Sequence, residues 1–154
     1  MVRLIYLMVA LLGLTACAHN GINEVQSTLA MQIEADTYYA DNQCDKAVPL
    51  YQSLSIALPK ETKSLLRIGN CYAREKNYTL AQDAYQQAII RDNQFIKAWH
   101  NLTYVRAQLL ANTVTEMYQH IDQSSPEADQ IRALTIQVLA PFDITIEDAP
   151  NVQE

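Results

Sequence analysis

The sequence predicts an all-α fold, a short solenoid of antiparallel helix pairs closed by a C-terminal capping helix. Three observations carry this. With Gly 3 and Pro 5 among 154 residues, the chain lacks the closely spaced turns of a β sandwich or barrel. A shift of 34 residues aligns Tyr38 with Tyr72, Ala47 with Ala81, Tyr51 with Tyr85 and Leu54 with Ala88. Within one such unit the apolar and small residues fall at i, i+3, i+4 and i+7, the spacing of one helix face. A balance of 11 basic against 17 acidic residues also argues against nucleic acid as a partner, since affinity for phosphates comes from Lys and Arg.

The chain opens with Arg3 and the apolar run LIYLMVALLGL from Leu4 to Leu14. A bilayer-spanning helix takes about 20 apolar residues, so this run reads as the core of an export signal over residues 1–16. Next comes Leu14-Thr15-Ala16-Cys17, which resembles the lipobox of bacterial lipoproteins. The alternative is an ordinary cleavable signal with a chance cysteine. The resemblance implies cleavage before Cys17, a diacylglyceryl thioether on its sulfur and an added palmitate-type acyl chain. It also implies an outer-membrane address on the periplasmic face, because Ala18 stands where an inner-membrane retention Asp would. Two or three long chains anchor a protein nearly permanently, at about 0.8 kcal/mol per buried CH₂. Residues 18–27 are polar and aperiodic and read as a tether.

Repeats follow over 28–125, as units 28–61, 62–95 and 96–125. In the second, Leu65, Ile68, Gly69 and Tyr72 share one helix face, Lys76-Asn77 turn the chain, and Ala81, Tyr85 and Ala88 share a face of the next helix. Trp99 opens the third unit as a large packing anchor, in register with Leu65 and Met31. The first unit keeps Met31, Ala35, Tyr38, Ala47, Tyr51 and Leu54, but has Glu34 where the others have Ile68 and Leu102. The third is degenerate, with Thr103 for the glycine, Arg106 for the tyrosine, and Thr115, Gln119 and Asp122 along its second helix.

These residues and their spacing resemble the tetratricopeptide repeat (TPR), most closely over Ser64–Asn93. The resemblance implies two antiparallel helices per unit, stacked so that the first helices line a groove. Ser125-Pro126-Glu127 starts a capping helix over 126–140, with Ile131, Leu134, Val138 and Leu139 turned to the stack and Glu127, Asp129 and Arg132 turned to water. The segment 141–154 is acidic and reads as a flexible tail, either solvated or an acidic partner peptide.

Cys44 and Cys71 remain in a compartment that permits disulfides. The antiparallel helices should bring them to one end of the stack, as a bridge or as two thiols that only pack. No metal-ligand or nucleophile motif surrounds His100 or His120, and no phosphate-binding glycine loop occurs. The reading is therefore a non-enzyme without cofactor or metal.

Function rests on the groove. Its inner face is expected to carry Gln32, Asp36 and Tyr39, then Lys63, Leu66, Asn70 and Arg74, then Lys97, His100, Tyr104 and Gln108. Some repeat domains of this kind clamp a C-terminal carboxylate with a Lys and two Asn. Asn70 and Asn101 fit two of those places, and Leu66 stands where the lysine would be. The resemblance to TPR lipoproteins of pilus assembly, of the Tad (Flp) or pilotin type, implies an envelope adaptor. Regulators of peptidoglycan hydrolases and outer-membrane biogenesis factors share the same features. A small-ligand carrier and a self-associating spacer are the remaining classes.

Overall fold

The computed structural model describes residues 25–146, all helix, turn and loop with no strand among them. The signal, the lipobox and most of the tether lie outside the described residues. Two compact units divide at Pro59.

The first unit pairs α1, helical over residues 25–40, with α2, Cys44–Ala57. Helix already covers 25–27, which the sequence assigned to the tether, because Val25-Gln26-Ser27 contains nothing that breaks one. Ala35, Ala47, Tyr51 and Leu54 are completely buried between the helices. The connection is tight. Asn42 adopts the left-handed conformation at φ 59°, where Asn is among the few tolerated side chains. Its neighbour Gln43 donates its N–H to the Tyr38 carbonyl at 2.8 Å, satisfying an acceptor that the helix end would leave open. The Lys46 ammonium sits 5.3 Å from the Tyr38 ring centre. Glu34 is exposed, so α1 has no core contact at the place where Ile68 and Leu102 are buried in the second unit.

The second unit contains α3 (Lys63–Arg74), α4 (Tyr78–Arg91), α5 (Ile96–Tyr118), α6 (Pro126–Leu139) and a 3-10 turn, Ala140–Phe142. The Glu61 carboxylate caps α3, accepting from the N–H groups of Lys63 and Ser64. The turn to α4 repeats that of the first unit: Lys76 is left-handed at φ 58°, and Asn77 donates to the Tyr72 carbonyl at 2.9 Å. Asn77 also caps α4 by accepting from Leu80 N–H. Leu65, Ile68, Ala81, Ala84, Tyr85, Ala88, Ala98, Leu102 and Val105 form the buried interior. Gly69 is required by close approach. A Cβ built there would lie 2.6 Å from Tyr85 Cδ1 and 2.9 Å from its Cζ, and against Cε1 as well.

Three expectations are corrected here. The third unit is not a helix pair, because α5 runs unbroken for 23 residues, about 35 Å at 1.5 Å per residue. No Gly or Pro interrupts it, and a second buried stripe of Ala107, Ala111, Val114 and Tyr118 extends it past the expected turn.

The capping helix also shows a different face. Ser125 caps α6 through Ala128 N–H at 3.2 Å, and Pro126 takes the first helical position. Ala128, Thr135 and Leu139 are buried, whereas Ile131, Leu134 and Val138 are 38%, 61% and 51% exposed. Small side chains at 128 and 135 let α6 approach α5 closely, and Tyr118 donates its hydroxyl to the Ala128 carbonyl at 2.7 Å. Arg132, expected in water, stacks over the Tyr118 ring at 5.0 Å.

Finally, the expected flexible tail is ordered over 141–146. Asp143 turns left-handed at φ 55°, and Phe142, Ile144 and Ile146 pack against Ala107, Ala111 and Leu139. Ile146 reaches the Val114, Tyr118 and Ala128 cluster too. An alternation of isoleucines hidden among acidic residues explains why composition alone reads as disorder. In the α5–α6 loop, the Ser124 hydroxyl and N–H hold the Asp122 carboxyl below the usual carboxylate range.

Candidate functional site

Helix spacing places Lys63, Leu66, Arg67 and Asn70 on one face of α3, and Lys97, His100 and Asn101 on one face of α5. Together with Thr62, Phe95 and Ile96 these residues line a groove of about 680 Å³. Leu66, expected to project outward, is only 8% exposed and supplies apolar wall. Lys97 and His100 are exposed at the rim.

The floor is polar and ordered. The Asn70 Oδ1 accepts from the Tyr85 hydroxyl and from Asn101 Nδ2, both at 2.8 Å. The Asn101 Oδ1 in turn lies 3.2 Å from His100 Nδ1. A carbonyl oxygen with two donors has its lone pairs filled, so Asn70 cannot also accept from a ligand through that atom. Charge is the second property. Lys63, Arg67 and Lys97 line the groove with no carboxylate among the lining residues, in a chain of formal net charge -6. Glu61, next in sequence to the lining, has its carboxylate turned onto the α3 N–H groups.

The groove thus brings together Lys63, Leu66, Asn70, Lys97 and His100 of the expected set. Arg74 and Tyr104 do not line it. Tyr104 is 40% exposed and its hydroxyl accepts from Gln108 at 3.0 Å. In the first unit, Tyr39 is half-buried and meets the Tyr51 ring edge-on at 6.1 Å, so it is a packing residue. Gln32 donates to Asp36 at 3.1 Å, and Asp36 accepts the Tyr51 hydroxyl at 2.6 Å.

Among the packing residues, Leu65, Ile68, Tyr85, Ala81 and Ala88 are buried, and Tyr72 is half-buried. Trp99 is a correction. It is 46% exposed, donating its indole N–H to the Asn93 carbonyl at 2.9 Å. Its neighbour Ala98 is fully buried instead, since one residue of helix rotation turns position 99 away from the interior. Cys44 and Cys71 are both disulfide-bonded, not thiols that merely pack. Cys17 lies outside the described residues.

Two features were not read from the sequence. Arg67 completes the 63, 66, 67, 70 stripe of α3, and the i, i+3, i+4, i+7 rule would have found it. The second is a repeated hydrogen bond. Tyr51 to Asp36 and Tyr85 to Asn70 each join residues 15 apart, and the two pairs are related by the 34-residue period.

Among the described residues no group of His, Cys, Asp or Glu has the arrangement to hold a metal, and no helix is long and apolar enough to cross a membrane. No family model and no curated protein matches the chain. Solved structures do. The first TPR of Spaghetti (RPAP3), bound to the HSP90 peptide SRMEEVD, is similar at a TM-score of 0.52 and 20% identity, over 75% of this chain and 97% of that one. The TPR2B domain of yeast Sti1, in its pHsp70 complex, is similar at 0.53 and 16% identity, over 75% and 98%. At this level of identity the likeness defines the fold: this is a TPR fold.

Proposed function

We propose that the chain is a protein-binding adaptor, not an enzyme, whose groove takes an extended acidic segment of a partner. The observation that carries this is the lining of Lys63, Arg67 and Lys97 without a carboxylate, over a floor fixed by Asn70 and Asn101. Leu66, Phe95 and Ile96 supply apolar wall beside those charges, the mixture that an extended peptide meets with alternating side chains. The similar RPAP3 domain is bound to a peptide carrying two Glu and an Asp, which agrees with an acidic occupant.

Lipobox and signal extend the reading to an outer-membrane lipoprotein, held by acylated Cys17 with its folded part in the periplasm. There it serves pilus or secretion-system assembly by holding another envelope protein. Crosslinking and pull-down from intact cells should recover one defined envelope partner. Lys63→Glu with Lys97→Glu should lose that partner while leaving the helical spectrum unchanged. Retention of the partner by the folded double variant refutes the groove reading. Cys17→Ala should release the protein from the outer-membrane fraction, and continued fractionation there refutes the anchor.

A further inference from the structure

The first turns of α1 carry an apolar stripe that stays exposed. Val25, Leu29 and Ile33 follow one another at four-residue steps and are 68%, 58% and 60% exposed. They fall within about 80° of rotation on one side of the helix and cover about 12 Å of its length. Leu58, just past the end of α2, joins Val25 and Leu29 around an open depression of about 370 Å³ in the same unit. The stripe carries no charge. Glu34 and Asp36 are the charged residues of 25–40, and Glu34 lies about 140° round the helix from Leu29. The Asp36 carboxylate accepts from Tyr51 and Gln32 within the unit.

We propose that this stripe docks on the lipid leaflet that holds acylated Cys17, so that α1 lies along the membrane surface as an interfacial helix. Docking of this kind rests on the Cys17 anchor proposed above. Chain length argues for lipid as the occupant. The helix is formed at residue 25, so only residues 18–24 separate it from Cys17, and eight Cα steps span at most about 28 Å. Val25 therefore stays within about 28 Å of the acylated residue whatever path the tether takes, and the stripe begins at that end of the helix. Three aliphatic side chains bury less hydrocarbon than a single myristoyl chain, which alone binds a membrane only marginally. The stripe by itself does not hold the protein, in keeping with the release expected of Cys17→Ala. Beside the anchor, docking becomes an intramolecular step at an effective concentration set by the short tether, so a small gain suffices. Residues 25–40 include no Lys or Arg, so the contact is apolar and needs no anionic lipid.

The test uses the acylated protein, its acyl mass on Cys17 confirmed, in vesicles of phosphatidylcholine with or without brominated acyl chains. Indole fluorescence is compared for the parent, whose one Trp is Trp99, and for Leu29→Trp and Glu34→Trp, both at exposed positions. Trp99 supplies the same baseline in all three. Brominated lipid should quench the indole added at position 29 at least twofold and leave the one at position 34 unquenched. High salt should not change this, because the contact is uncharged. Adding Val25→Asn and Ile33→Asn to the Leu29→Trp chain should abolish the quenching while the helical spectrum is retained. Equal emission at position 29 in both kinds of vesicle overturns the docking and leaves the anchor intact. A blue-shifted but unquenched indole there also overturns it, because the stripe is then covered by the tether or by a second copy. Quenching that survives Val25→Asn and Ile33→Asn, or is lost in salt, overturns the apolar contact. An absence of acyl mass on Cys17 removes the anchor reading and the docking with it.

Discussion

At Gly69 two opposed effects can be weighed. Alanine favours a helix interior over glycine by about 1 kcal/mol, yet its methyl group would collide with the Tyr85 ring. That ring cannot swing aside, because Tyr85 is 2% exposed and its hydroxyl is bound to Asn70. Overpacking costs about 1–3 kcal/mol, so Gly69→Ala should be net destabilising, read as a lower urea midpoint with an unchanged slope. An unshifted midpoint would mean that the α3–α4 crossing is looser than described. Asn70 and Tyr85 make a second comparison. Tyr85→Phe removes one donor and should cost about 0.5–1.5 kcal/mol, whereas Asn70→Ala strands a buried hydroxyl and should cost about 1–3 kcal/mol. Thermal melts of both variants check the order, and the reverse order would show that the hydroxyl finds another partner.

Among the elements, those with a strong local code were legible. The α3–α4 pair has its caps, turn and small residues in sequence order, and the 34-residue period transfers them to α1–α2. The end of the repeats was misread for a physical reason. A third turn was expected from the period, but a turn needs a residue that stops the helix, and nothing between Ile96 and Tyr118 does so. Helix continuity was decided by the Ala107, Ala111, Val114, Tyr118 stripe, whose purpose is visible only once α6 and Ile146 are seen to cover it. The same logic inverted α6. Bulk suggested Ile131, Leu134 and Val138 as its inner face, but close packing chose Ala128 and Thr135. The start of α6, by contrast, was legible as Ser125-Pro126. Ser125→Ala removes the acceptor for Ala128 N–H and should cost about 1 kcal/mol. Hydrogen exchange should then speed up first at the α6 N-terminus, and uniform exchange across the unit would argue against a local cap.

For the whole molecule, the covalent bond is the simplest check. Cys44 and Cys71 are disulfide-bonded, and the pairing expected from sequence is with each other. Peptide mapping without reduction should recover that one cystine, and reduction should lower stability by about 3–4 kcal/mol in the chain-entropy estimate for such a loop. Free thiols in the native protein would refute it. The groove was half legible. Helix-face arithmetic on α3 and α5 found Lys63, Asn70, Lys97 and His100, and failed for Arg74 and Tyr104, because sharing a helix face does not fix which residues border a particular cavity. It also missed that the Asn70 oxygen is spent inside the fold.

The unbroken α5 has a mechanical consequence. Its first turns carry Lys97 and His100, and its last turns carry Val114 and Tyr118 beneath α6 and Ile146. A rod with no hinge cannot tilt at one end alone, so a pull on the C-terminal segment becomes a change of aim at the groove rim. Spin labels at positions 100 and 115 should keep a fixed separation with and without a bound acidic peptide, while their distances to α3 change together.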